Sequence, residues 1–165
     1  MLIKRVVSGS ACAAALFVML GGDVPALAQA NAVPAARRDT AAEERNRAFV
    51  INFYDLVFNK HDLKATEDMV SEGYIQHNPH FPTGRAAFIE ILAKRFKQNP
   101  ETHARIVHSA VDGDLVWLHV HSVGGPRDRG RAIVNVFRVA GGKIVEHWDV
   151  VQPVPETSDN DNTMF

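Results

Sequence analysis

At Thr102 the spacing of apolar residues changes from a helical to an alternating period, which limits the chain to folds that segregate helices from a sheet. Upstream, Thr40 and Glu43 form a capping-box pair, and Phe49, Val50, Phe53, Tyr54, Val57 and Phe58 follow at helical spacing. Asp62 caps a short second helix that presents Leu63, Met69 and Val70. A third helix over Gly84 to Gln98 turns Phe88, Ile91, Leu92 and Phe96 inward and stops at Asn99-Pro100. Downstream, β-branched and aromatic residues alternate over His103 to Val111, Leu115 to Val123, Arg131 to Val139 and Lys143 to Gln152. Helices followed by strands predict an α+β domain. Asp112-Gly113-Asp114 and Ala140-Gly141-Gly142 are hairpin turns and Gly124 to Gly130 a longer loop, so the sheet is expected to be antiparallel.

Side chains two apart on a strand share a face. Trp117, His119 and His121 therefore oppose Val116, Leu118 and Val120. Two registers are open for the last hairpin. A three-residue turn at Ala140-Gly141-Gly142 pairs Val139 with Lys143 and sets Asn135 opposite His147; a two-residue Gly-Gly turn sets Asn135 opposite Trp148. The first is favoured because it gathers Asn135, His147 and Asp149 on one face and Val134, Val136 and Trp148 on the other. The helices cover one face only, so the aliphatic face with Val116, Leu118, Val120, Val134 and Val136 predicts a homodimer.

The ends read differently from the middle. Lys4 and Arg5, the apolar stretch Val6 to Leu20 and Ala26-Leu27-Ala28 form a signal peptide over residues 1–28, cleaved to leave Gln29 first. The alternative, a membrane anchor, needs an uninterrupted apolar run of roughly 20 residues, which is longer than this one. Residues 29–38 are a flexible linker, 39–156 the domain and 157–165 a polar tail expected to be disordered. The one cysteine, Cys12, lies within the signal, so the exported chain has no thiol chemistry and no disulfide. With a net charge of -1 there is no basic field for nucleic acid, and no stable membrane association is expected after cleavage. The protein is expected in the periplasm or medium.

The segments FYDLVFNKHDL, GYIQHNP, TGRAAF and GRAIVNVFRVAGGKIVEHWDVVQ together resemble the SnoaL-like polyketide cyclase family of the nuclear transport factor 2-like superfamily. The resemblance covers most of Arg45 to Pro155. It implies a cone of three helices packed on a strongly curved antiparallel sheet, with a pocket at the open end and frequent dimerisation. It also implies roles. Tyr54 resembles the tyrosine that donates to an oxyanion in ketosteroid isomerase-like members, and Asp149 a catalytic aspartate of epoxide hydrolase-like ones. Asn135 stands where SnoaL-like sequences commonly carry an acid/base Asp, and Asn78-Pro79 roughly where ketosteroid isomerase has its Asp-Pro base.

The remaining proton-transfer candidates are histidines, of which the chain has eight. The expected catalytic set is His147, Asp149, Tyr54 and His119, with His77, Asn135, Trp117, Phe137, Phe58 and His121 contacting the ligand. For the histidines the alternative role is that of hydrogen-bonded cavity lining. His119 and His121 are also half of a metal site, but no acidic third ligand follows closely, and no metal or other cofactor is expected. His61, His80, His103 and His108, and the basic clusters Lys94 to Lys97 and Arg127 to Arg131, read as solvated surface. The expected activity is cofactor-independent acid/base chemistry, an aldol-type cyclisation or isomerisation, on a small apolar carbonyl compound. The alternative is a non-catalytic ligand-binding or accessory protein with the same pocket.

Overall fold

A computed structural model of the chain describes residues 38–165, so the signal and nearly all of the linker lie outside the described residues. Helix α1 spans Thr40–Phe58. Its cap is Asp39, one residue before the expected Thr40, with Oδ1 accepting the Ala42 N–H at 2.9 Å. Glu43 is buried instead of completing a capping box; it takes Arg38 at 2.8 Å and the Gly113 N–H at 2.9 Å, tying the start of α1 to a hairpin turn. Helix α2, Leu63–Met69, is capped by Asp62 as expected, and α3 runs over Arg85–Gln98 behind Gly84. Among the described residues no helix is long and apolar enough to cross a membrane.

Five strands form one curved sheet, one more than the sequence pattern predicted. The addition is β1, Val70–Gln76, which pairs in parallel with the last strand and makes the sheet mixed. Its alternation is broken by a register shift between Val70 and Ile75, and only Val70 and Tyr74 are buried along it, so a period of two is absent from its sequence. The others are β2 (His103–Asp112), β3 (Leu115–Val123), β4 (Arg131–Ala140) and β5 (Lys143–Pro153), joined antiparallel in sequence order. The spatial order is β1-β5-β4-β3-β2.

The turn between β4 and β5 is the two-residue one. Ala140 pairs with Lys143, and Gly141 and Gly142 have φ of 56° and 72°, the left-handed pair that a tight hairpin requires. A register shift follows: Val139 pairs with Ile144 but Arg138 with Glu146, leaving Val145 without a partner. Asn135 therefore faces Asp149 across the ladder and Phe137 faces His147, which corrects both registers considered above. The bulge restores the parity that the shorter turn would have lost. Asn135, His147 and Asp149 consequently still share one face.

Which face meets the helices is also corrected. Leu118 pairs with Asn135 and Val116 with Phe137, so Val116, Leu118 and Val120 lie inside, each fully buried, with Val50, Phe53, Tyr54 and Val57 of α1 in the same core. Phe53 and Tyr54 meet Phe137 edge to face at 6.0 and 6.3 Å. Each such burial contributes about 1.5–3 kcal/mol. Trp117, His119 and His121 point to the outer face with Val134 and Val136, so the proposed aliphatic surface mixed residues from both sides of the sheet. Val116, Leu118 and Val120 have no part in an outer surface. Beyond β5 the tail has neither helix nor strand, and its last residue, Phe165, stacks on His121 at 4.1 Å.

Candidate functional site

Between α1, α3 and the inner face of the sheet lies a cavity of about 570 Å³. Its walls are largely apolar: Phe58, Phe81, Phe88, Leu92, Phe96, Ile133, Phe137 and Val151 line it. Polar groups enter from the sheet side, namely Gln76, Asn78, Asn135, His147 and Asp149, with Tyr54 from α1. A mostly apolar cavity with a few convergent polar groups is the usual form of a small-molecule site.

Among the described residues Asp149 is held by a single partner. Asn78 Nδ2 donates to both of its carboxylate oxygens, at 2.7 and 2.8 Å. Asn78 is itself buried and fixed, its N–H donating to Gln76 Oε1 (2.9 Å) and its Oδ1 accepting the His80 N–H (2.8 Å). An asparagine in place of an acid thus becomes the support of an acid across the sheet.

His147 is buried against this group. Its Nδ1 lies 3.0 Å from Gln76 Oε1, and since that oxygen already accepts the Asn78 N–H, Nδ1 must be the donor to it. Burial, and secondarily the charge of His77, push the imidazole down to about 3, so near neutral pH Nε2 carries a lone pair. With its oxygen 3.1 Å from Nε2, Asn135 would leave Nδ2 buried without a partner. A half-turn of the amide lets Nδ2 donate to Nε2 instead. The first orientation suits an imidazolium, which has two N–H donors; the second suits the neutral ring. Burial, with the charge of Asp149 adding to it, raises Tyr54 above the ordinary phenol range and keeps its proton in place for donation. Tyr74 is raised by the same two causes, and Gln76 Nε2 donates to its hydroxyl at 2.9 Å.

Six expected site residues meet here: Tyr54, Phe58, Asn135, Phe137, His147 and Asp149. Four others do not. Trp117, His119 and His121 are on the opposite face, where His108 and His119 approach through their Nδ1 atoms at 3.1 Å and His121 Nε2 donates to the Arg129 carbonyl at 2.8 Å. His77 stacks on Trp148 at 4.7 Å and donates from Nε2 to Glu146 Oε1 at 2.9 Å, also outside the cavity. Among the described residues no three His, Cys, Asp or Glu side chains converge as a metal site.

Several lining residues escaped sequence reasoning. Gln76 ends the strand whose pattern is broken, and Asn78 had a visible signal in the Asn-Pro step, though as a lost base rather than as a support. Arg95 and Arg131, read as solvated members of basic clusters, line the cavity, and so does His80. Arg95 lies over the Phe81 ring at 4.1 Å. Only the packing of α3 over the sheet brings these charges to the mouth.

Comparison with known proteins agrees with this architecture. The AclR protein of Streptomyces galilaeus, a proposed hydroxylase, is similar in structure at 20% identity, covering 67% of this chain and 90% of its own, with a TM-score of 0.58. A proposed polyketide cyclase from Acidithiobacillus ferrooxidans shares 16% identity over 65% of this chain and 87% of its own, with a TM-score of 0.56. A nuclear transport factor 2-like protein from Mesorhizobium loti shares 24% over 67% and 93%, with a TM-score of 0.55. These likenesses establish the fold. No curated protein matches the chain by sequence. The SnoaL-like domain family matches residues 50–147, which hold the C-terminal part of α1 from Val50, α2, α3, four strands and the start of β5 as far as His147. With more than half of its length matched and its cone of helices and sheet in place, the chain belongs to the SnoaL-like domain family.

Proposed function

We propose that the protein is exported by removal of residues 1–28, binds a small, largely apolar carbonyl compound in this cavity, and moves a proton on it using side chains alone. The reaction class is an aldol-type cyclisation or an isomerisation. The observation that carries the reading is Asp149, a carboxylate in a mostly apolar cavity whose geometry is set by Asn78 and whose remaining lone pairs are free for a ligand. Asp149 takes the role first given to His147, because an imidazole pushed down to about 3 is a weak base near neutral pH. It removes a proton next to the ligand carbonyl, Tyr54 donates to the oxygen on which charge develops, and His147 orients Asn135. Proteins of similar structure named as a proposed cyclase and a proposed hydroxylase are compatible with small-molecule chemistry on this fold.

The competing reading is a binding protein without turnover. It is favoured by the two amides, Asn78 and Asn135, that occupy positions where acids would shuttle protons. Exchange of the ligand's α-hydrogens for deuterium, followed by mass spectrometry on ketones that bind, separates the two. The enzyme reading expects exchange by the wild type, at least about a hundredfold slower exchange by Asp149→Asn, and binding retained within about tenfold. Binding with no exchange above the uncatalysed rate supports the binding protein.

A further inference from the structure

Four charged side chains line the cavity, and they divide into two tied and two untied. The carboxylates are tied: Asp149 accepts from Asn78, and Asp128 accepts the backbone N–H groups of Gly124 at 2.7 Å and Gly130 at 2.9 Å. The guanidiniums are untied: neither Arg95 nor Arg131 has an ion-pair partner among the described residues, and these two are the arginines that line the cavity. Both are exposed at the mouth, and Arg95 is laid over Phe81. Partial loss of solvent, and next the positive charge of Arg131, hold Arg95 below the ordinary arginine range, against a smaller opposing pull from Asp149.

We propose that the ligand is a monoanion, a carbonyl compound bearing a carboxylate that Arg95 and Arg131 hold at the mouth while its apolar body runs inward and its carbonyl reaches Tyr54 and Asp149. This deepens the function proposed above and rests on it for the carbonyl end only. The guanidinium plane matches a carboxylate through paired hydrogen bonds. The four charged side chains sum to zero, so a monoanion leaves less excess negative charge in the cavity than a phosphate dianion would, while the unpaired guanidiniums still offer their donors to it. The same charges favour one direction: an acid group beside Asp149 would be repelled, whereas beside Arg95 and Arg131 it meets two cations, and the one carboxylate near them, Asp128, already accepts two backbone N–H groups.

Titration calorimetry on the exported form tests this with benzoylpropionate, benzoylbutyrate and benzoylvalerate, their methyl esters, and the matching phenylalkanoates that lack the ketone. The spacer series accommodates the span between mouth and floor. At least one keto acid should bind about tenfold or more tightly than its ester, with the advantage shrinking as salt rises. In Arg95→Gln/Arg131→Gln the advantage should fall below about threefold while ester binding is unchanged; Arg95→Lys, which keeps the charge, should retain part of it. Esters that bind as well as acids, or an advantage that survives the double substitution, overturn the anion assignment and leave the carbonyl reading standing. Acids that bind equally with and without the ketone do the reverse. If no member of the series binds, both assignments fail.

Discussion

His147 shows how much one side chain's surroundings decide its chemistry. By composition it was the natural base, and by placement it is a buried neutral ring between two amides, with its pKa depressed from 6.5 to about 3. The consequence for stability has a definite sign. Below pH 6.5 the unfolded chain takes up a proton at this residue and the folded chain does not, so stability is full above pH 6.5 and declines as pH falls towards 3. The decline amounts to at most roughly 5 kcal/mol. Chemical denaturation between pH 7 and pH 4 should show this slope in the wild type and a clearly shallower one in His147→Gln, which keeps an amide in place of the ring without a titrating group. Parallel slopes would mean that His147 takes up its proton without loss of stability.

At the level of the elements, the strongest periods were legible and the weakest were not. The limits of β2 to β5 lie within a residue of the alternating runs, and α2 starts where Asp62 predicts. Strand β1 left no alternation to read, and without it Gln76 and Asn78 could not be placed beside His147 and Asp149. The face of β3 was invisible for another reason: Trp117, His119 and His121 alternate with Val116, Leu118 and Val120 equally well either way, and the loop before β4 does not set parity. In the β4–β5 hairpin the glycines were visible but the bulge was not, because Val145 is an ordinary strand residue whose lack of a partner depends on its neighbours' pairing. The turn itself is a direct target. Gly142→Val forces a β-branched residue into φ of 72°, which should cost about 1–2 kcal/mol and lower the melting temperature by several degrees, read by circular dichroism. Gly73→Val, at a strand glycine with no left-handed φ and open space around its Cα, should cost less.

For the whole molecule, the sheet's outer surface keeps Val134 (43% exposed) and Val150 (72% exposed) in water, beside Trp148 and the pair of His119 and His121 on which the C-terminal Phe165 rests. We propose that the homodimer expected from the sequence forms through this outer surface and not through the mixed set of residues first assigned to it. Val134→Glu should then convert a dimer to a monomer in multi-angle light scattering with ligand binding intact, since Val134 points away from the cavity. A wild type that is monomeric at all concentrations would end that proposal. The two surfaces are written into the same strands on alternate positions: Leu118, Asn135 and His147 look inward, while Trp117, Val134 and Trp148 look outward. Substitutions that reshape the cavity and substitutions that reshape the outer face can therefore fall on separate residues of one ribbon, so that either surface can change in a lineage while the other stays as it was.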